Sequence, residues 1–446
     1  MSSLPNLNFN FKSFCKVDFS GGDLSANSGL ILVAEFMKAM GFDSYLKNNF
    51  GKVAKRCSEY SDADLLMQVL YQNIAGYPTD DAADNLAHDP MFKTLLHKHR
   101  LASQPTLSRF RHRLDYESQI DMEQFLKYMR RQAYMVKTPI NVICDLDTTL
   151  LAAYGLQEGA EYNHHYQAVG HHPLLCYDGN TGDLLKAELR EGSMYCGNGA
   201  AAFIQPLLQE FKEEYPDTKV TVRADSGFAM PDLYECVESF LNADYVIRLK
   251  SNSVLQESVK YKAEALMSEY ANTQIVPNPI YGEFSYAAKS WDKERRVAYK
   301  VELKYSEGAV ELIPTCMFIV TNRTDKPEDV IKLYCQRGNM ENFIKESKNE
   351  FNFESMCSRE TLTNENRLLV AAIAYNIFNL FRRLCLPELW KKFRASELRQ
   401  RLIRIAGRYV THAKETWFRL CSTYMYQSQF AYTYNQVTYI GQKLEI

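Results

Sequence analysis

The chain has 446 residues, 46% of them hydrophobic and 24% charged, with a formal net charge of −2. Its length exceeds one ordinary core, so two to four domains are expected, and no apolar run nears the roughly 20 residues that cross a bilayer. Eleven scattered cysteines without a CxxC pair argue against a disulfide framework or a cysteine-based zinc site and suit a reducing cytosol.

The opening MSSLPNLNFNFKSF has no charged-then-apolar pattern with a cleavage site, so no secretory leader is expected. Residues 1–137 read as helical. Ser61-Asp62-Ala63-Asp64 caps a helix whose Leu65, Leu66, Val69 and Leu70 form an apolar stripe. Ser103-Gln104-Pro105 starts another, carrying Arg109, Arg111, His112 and Arg113. A short helix, a turn and a basic helix are the parts of a helix-turn-helix DNA reader; an amphipathic helix with arginines on its wet face has the same pattern. The low net charge hides an asymmetry. Residues 91–137 hold ten Lys and Arg against four Asp and Glu, and 381–420 eleven against three, whereas 191–240 hold nine acids against three bases. Basic flanks around an acidic middle suit a protein that grips a polyanion at its ends and a metal at its centre; basic helices that merely solvate a surface would look alike.

From 138 the period changes. NVICDLDTTLLAAYG is a buried strand, and HPLLCYDGN with TGDLLKAELREG makes a hairpin around Asp178-Gly179-Asn180. Then come a helix (GAAAFIQPLLQEFKEEYP), a strand (KVTVRADSG), a helix (PDLYECVESFLN) and a strand (ADYVIRLK). Three hairpin-linked strands followed by helix–strand–helix–strand is the order of an RNase H-like mixed sheet. Residues 251–325 interrupt it with three alternating stretches, a β-rich insertion, and from Pro327 helix is expected to about 420. The expected architecture is therefore α/β. A helical DNA-binding region (1–137) precedes an RNase H-like catalytic core (138–250). The insertion (251–325), the rest of the core (326–385) and a C-terminal helical region (386–446) follow. NENRLLVAAIAYNIFNLFRRL is nearly apolar but interrupted by Asn364, Asn366, Asn376 and Asn379, which makes it a buried helix and not a membrane span.

The chemistry turns on Asp145-Leu146-Asp147-Thr148-Thr149. As a DxDxT phosphatase loop, Asp145 would be nucleophile and Asp147 acid. The chain then lacks a later acidic pair for magnesium, since Gly182-Asp183 sits in a hairpin, and some 140 helical residues precede the strand. A two-metal site needs carboxylates from distant segments, and here Asp147 closes the first strand while Asp225 closes the strand after the first helix. In LYCQRGNMENFIKESK, Tyr334, Arg337, Glu341 and Lys348 are separated by two, three and six residues. On one helix they fall at about 0°, −60°, −20° and −40°, with Lys345 at about +20°, a single face. Glu341 would complete the acidic set while the cations hold phosphates. A solvated helix with an ordinary Glu341–Lys345 pair is the alternative. Asp145 and Asp147 share a strand face, so Asp145 could support Asp147 or replace it. The crowded His164, His165, His171 and His172 lack a cysteine pair and alternate across a strand, which favours a loop over a zinc site.

Tyr, two residues, Arg, three, Glu, six, Lys is the signature of a large group of bacterial DDE transposases. Asp147-Thr148-Thr149 and Asp225-Ser226-Gly227-Phe228 resemble their first two Asp motifs. GLQEGAEYNHHYQAVGHHPLL, followed by TG and LREG, is similar to the 1380 family of insertion sequences. The agreement runs from about 100 to 385 and includes TLSRFR and SWDKERR; His171 and His172 stand where that family usually has an aromatic. The resemblance implies a DNA transposase that cleaves the ends of its insertion sequence and joins the 3′-OH to target DNA. Asp147, Asp225 and Glu341 would hold two Mg²⁺, with Mn²⁺ as a substitute. Tyr334, Arg337, Lys345 and Lys348 would lie along the DNA, as would Arg109, Arg111 and Arg113. Trp291, beside Lys293, Arg295 and Arg296 in the insertion, would be a stacking platform for a flipped base, unless it packs within the insertion's own core. The implied partners are transposon-end and target DNA and a second copy in the synaptic complex. No membrane is implied, and the location would be cytoplasmic, at the nucleoid. A catalytically inactive DNA-binding derivative and the DxDxT phosphatase are the alternatives.

Overall fold

The computed structural model describes residues 7–9, 15–51, 59–306, 309–311, 313–413 and 415–444, so most of the opening segment considered for a leader lies outside the described residues. Two compact units divide the chain. One is residues 137–345 with 356–365; the other is 1–136 with 346–355 and 366–446.

The first unit is built on an eight-stranded mixed sheet. Its strands are β1 (Asn141–Thr148), β2 (Leu174–Asp178), β3 (Leu184–Glu188), β4 (Lys219–Ala224), β5 (Ala243–Leu249), β6 (Ile280–Tyr286), β7 (Arg295–Glu302) and β8 (Thr315–Thr321). They lie in the order β3-β2-β1-β4-β5-β8-β7-β6. Of its neighbouring pairs, only β1–β4 and β4–β5 are parallel. That placement follows from sequence: VICDL and VTVRA are nearly continuous apolar runs buried on both faces, as central parallel strands must be. The β2–β3 turn is fixed by Asp178, whose carboxylate accepts hydrogen bonds from Asn180 N (3.1 Å) and Thr181 Oγ1 (2.7 Å) and from Ile143 N (3.3 Å) on β1. Helices α1 (Ala200–Glu214) and α2 (Pro231–Glu238) make the connections around β4.

Segment 251–325, expected as a β-rich interruption, differs from that expectation in two ways. It opens with a long helix, α3 (Ser253–Thr273), capped by Asn252, whose side chain accepts from Leu255 N at 2.9 Å. The helix buries only Leu255, Val259 and Leu266, a stripe too thin to stand out in a polar stretch. The three strands that follow do not form a separate layer. They extend the main sheet, β8 pairing antiparallel with β5 from Val246↔Thr321 to Leu249↔Phe318. Helix α4 (Pro327–Cys335) then packs Val330, Ile331 and Tyr334 on Val246, Ala298 and Ile319 of that sheet.

The second unit is mainly helical. Residues 62–75 form the expected helix with its expected cap: Ser61 Oγ accepts from Asp64 N (3.1 Å), and Asp64 Oδ2 accepts from Ser61 N (3.0 Å). Its far end is closed by buried Arg399, which donates to the carbonyls of Asn73 (3.0 Å) and Ile74 (2.8 Å) and pairs with Glu350 (2.7 Å). Phe36, Phe42, Phe125 and Phe381 meet edge-on in the core. Helices α5 (Gly338–Phe351) and α6 (Thr361–Cys385) follow α4 in the chain. The apolar stretch of α6 is mostly buried, with Phe351 of α5 set 5.5 Å from both Tyr375 and Phe378, so it is a core helix as expected. The C-terminal region departs from the expected all-helical course. Gly407–His412 and Glu415–Leu420 form an antiparallel hairpin ahead of the last helix, Gln427–Leu444. Tyr409, Val410, Thr411, Thr416, Trp417 and Phe418 are strand formers, and here they outweigh the basic, helix-like composition around them.

Candidate active site

Parallel pairing sets the site. The register that matches Asp145 with Arg223 and Leu146 with Ala224 brings Asp147 and Asp225 to the next step, at the C-terminal ends of β1 and β4. Asp147 Oδ1 accepts from Thr148 N at 2.9 Å; Asp225 Oδ1 accepts from Gly227 N at 2.8 Å, as cap of a short 3₁₀ turn over Ser226–Phe228. Both carboxylates are thereby oriented by backbone and face one cation. Arg337 Nη2 lies 2.8 Å from Asp147 Oδ2 and 3.9 Å from Asp225 Oδ2. Burial pushes the Asp147 carboxyl up to about 6, against the opposing pull of the Arg337 guanidinium.

One layer beneath lies Asp145. It is fully buried and held bidentate by Arg223, Nε to Oδ1 at 2.5 Å and Nη2 to Oδ2 at 2.6 Å. Arg223 also donates to Leu333 O of α4 at 2.5 Å, tying the sheet to the helix that leads into Arg337. Burial raises the Asp145 carboxyl and the two Arg223 hydrogen bonds draw it back. Both oxygens of Asp145 are thus taken up by Arg223, whereas Asp147 presents an oxygen to the Arg337 guanidinium. Arg223 went unnoticed in the sequence, although its signal was there: Asp145-x-Asp147 and Arg223-x-Asp225 repeat at the strand period of two.

Tyr166 is a second residue that the sequence did not single out. Its hydroxyl donates to Thr148 O at 3.4 Å, and burial followed by the charge of Asp147 pushes it up to about 12. It therefore stays a protonated hydrogen-bond donor beside the acidic pair.

The helix face expected from Tyr334 to Lys348 is not continuous. Helix ends at Cys335 and resumes at Gly338, so Arg337 sits in a turn. Glycine at 338 weakens the helix there, and at the break Arg337 turns to the two carboxylates. Tyr334 is buried in the α4–sheet contact. Glu341 is brought to neither aspartate: its side chain is 71% exposed and pairs with Lys345 at 2.6 Å. Lys348 pairs with Glu354 at 2.9 Å. Asp147 and Asp225 offer the hard oxygen donors that suit Mg²⁺ or Mn²⁺. They fit such an ion; Glu341, in this arrangement, does not join them. Among the described residues no group of three His, Cys, Asp or Glu side chains is gathered closely enough to hold a metal.

The other expected DNA contacts are placed variously. Arg295 is buried and paired with Glu238 and Asp292, both at 2.9 Å, and Arg296 pairs with Glu283. Trp291 meets Tyr234 and Tyr286 edge-on at 5.3 and 5.4 Å under the Arg295 guanidinium, which is the packing of a small core. Arg111 is buried against Asp80 at 2.8 Å and Arg113 pairs with Asp62, leaving Arg109 beside Thr106 as the more open cation. His171 and His172 are buried and hydrogen-bonded to Gln157 (3.2 Å) and to the Met194 carbonyl (2.8 Å).

A family model described as a transposase DDE domain, group 1, matches residues 8–442. Among solved structures, a cryo-EM piggyBac transposase synaptic complex with hairpin DNA is similar at a TM-score of 0.41 and 12% identity, over 94% of this chain and 82% of that chain. No curated protein matches significantly.

Proposed function

We propose, for a chain that belongs to the transposase DDE domain family, group 1, that it is a DNA transposase acting on the ends of its own insertion sequence through Asp147, Asp225 and Glu341. The observation that carries this is the meeting of Asp147 and Asp225 at neighbouring parallel strand ends around one cation. The strand order β3-β2-β1-β4-β5, with β1, β4 and β5 parallel, is the order an RNase H-like core requires, and it supports that finer assignment. Relationship to the 1380 family of insertion sequences rests on the motifs quoted above.

Asp147 and Asp225 would hold a divalent ion, which when bound supplies Lewis acidity toward the phosphodiester and its attacking water. The chain's own residues do the positioning. Backbone N–H groups of Thr148 and Gly227 aim the two carboxylates, and Tyr166 keeps a proton beside them. Arg337, Lys345 and Lys348 supply positive charge to DNA phosphates. Glu341 is proposed as the third carboxylate, reaching the pair when DNA is engaged. Incubation with a plasmid bearing the element's own ends and Mg²⁺ should yield breaks at the element boundaries. Equal cutting in EDTA, or no cutting with any divalent ion, would count against the assignment.

Arg337 and a metal ion are alternatives for the same carboxylate oxygens. A charge-assisted hydrogen bond is worth roughly 1.5–3 kcal/mol, so Arg337→Gln should tighten Mn²⁺ binding by the DNA-free protein about 10–100-fold, as read by electron paramagnetic resonance titration. Unchanged affinity would show that no such competition exists. The pH dependence has a definite sign. Asp147 must be ionised to bind, so Mn²⁺ affinity falls as pH drops through about 6. Because Arg337 holds that carboxyl down, the midpoint should move to higher pH in Arg337→Gln.

A further inference from the structure

The hairpin Gly407–His412/Glu415–Leu420 has two unlike faces. Tyr409 and Phe418 meet edge-on on one side, ring centroids 5.4 Å apart and half-buried. The other side carries three directly opposed pairs: Arg408↔Arg419, Val410↔Trp417 and His412↔Glu415. Arg408 and Arg419 are both exposed, and among the described residues neither joins an ion pair. Two like charges directly opposite on an antiparallel ribbon oppose its folding. Beside them Trp417 is 52% exposed, its Nε1 donating to Glu415 Oε2 at 3.0 Å. Trp417 and Arg419 lie on the outer strand of a three-stranded sheet, opposite Val410 and Arg408 of its central strand.

We propose that this face is a DNA-backbone contact: Arg408 and Arg419 close on one phosphate of duplex DNA, and Trp417 lies against the adjoining sugar. The arginine pair becomes favourable only when an anion sits between its members, and two guanidinium forks match phosphate oxygens. The surrounding charge agrees. Residues 381–420 hold eleven cations against three acids in a chain whose net charge is −2, and Lys392, Arg394 and Arg404 are likewise exposed without an ion pair among the described residues. The partner class rests on the transposase assignment; the hairpin as its contact is new.

The test uses the full chain and a short fluorescein-labelled duplex of arbitrary sequence, since phosphate contacts are sequence-independent, with anisotropy read between about 50 and 200 mM NaCl. Arg408→Glu removes one cation and neutralises the other across the strands. It should weaken binding about tenfold and reduce the salt slope by about 1 to 2. It should also leave the melting temperature equal or higher, because a like-charge pair becomes an opposite-charge pair. Weaker binding together with undiminished stability is not what a merely structural arginine would give. Arg408→Gln, which creates no new pair, should show a smaller loss in the same direction, and Trp417→Phe should lose binding without changing the salt slope. Wild-type affinity and slope in Arg408→Glu would overturn the hairpin contact while leaving the transposase assignment intact. Stronger competition by polyglutamate than by unlabelled duplex would also overturn it, assigning the face to an acidic protein. A wild-type chain that binds no duplex would remove both.

Discussion

Asp225→Ala should abolish cleavage at the element ends, by at least about 10³-fold, and Asp147→Ala should do the same. Neither carboxylate can compensate for the other, because each supplies one side of a pair that Arg337 already spans, Nη2 lying 2.8 Å from Asp147 and 3.9 Å from Asp225. Binding of duplex DNA by Asp225→Ala should be equal to or tighter than wild type, since a negative charge near the phosphates has gone. That combination separates lost chemistry from lost folding. Glu341→Ala is the sharper comparison. Exposed and, among the described residues, paired only with Lys345, Glu341 contributes little to the fold, so the variant should melt like wild type and still fail to cleave. Normal cleavage by Glu341→Ala would remove that residue from the site and leave the aspartates in it. Retained cleavage in Asp225→Ala would end the assignment altogether.

The second large effect is on stability. Arg223→Met should cost about 3–5 kcal/mol in urea denaturation, because it strands the Asp145 carboxylate in the interior without its bidentate partner. The double variant Asp145→Leu/Arg223→Met should recover most of that loss, as replacing both members of a buried pair by apolar side chains of similar bulk is often neutral. A loss below about 1 kcal/mol in the single variant would mean that the pair does not hold β1 to β4. Gly179 offers an independent check. A Cβ there would fall 2.5 Å from Asp145 Oδ2 and 2.6 Å from Arg223 Nη2, so Gly179→Ala should destabilise through the same pair.

The sequence was most legible where one physical rule dominated. Strand period and apolar runs located β1, β2, β3, β4 and β5, and the cap at Ser61 located its helix, because those signals are local. Asp147 and Asp225 were legible since each ends an apolar run in a polar cluster. Helical azimuths failed at Arg337 for a reason the sequence does not carry. The carboxylates that Arg337 turns to lie 112 and 190 positions away along the chain (337 − 225 and 337 − 147). Arg295 and Arg111 looked like surface cations for the same reason: their partners, Glu238 and Asp80, are distant in sequence. The C-terminal hairpin was hidden by composition, its strand formers embedded among residues that also suit helices.

The hydrogen-bonded ladder between β1 and β4 fixes the two aspartates as a rigid jaw, its opening set by strand spacing and not by side-chain choice. The cation facing that jaw, Arg337, sits in the turn where one helix has ended and the next has not begun. Evolution or engineering that seeks a different ion, a different timing of assembly or a dormant enzyme therefore has one economical place to work: the few residues of that joint, with the sheet left untouched.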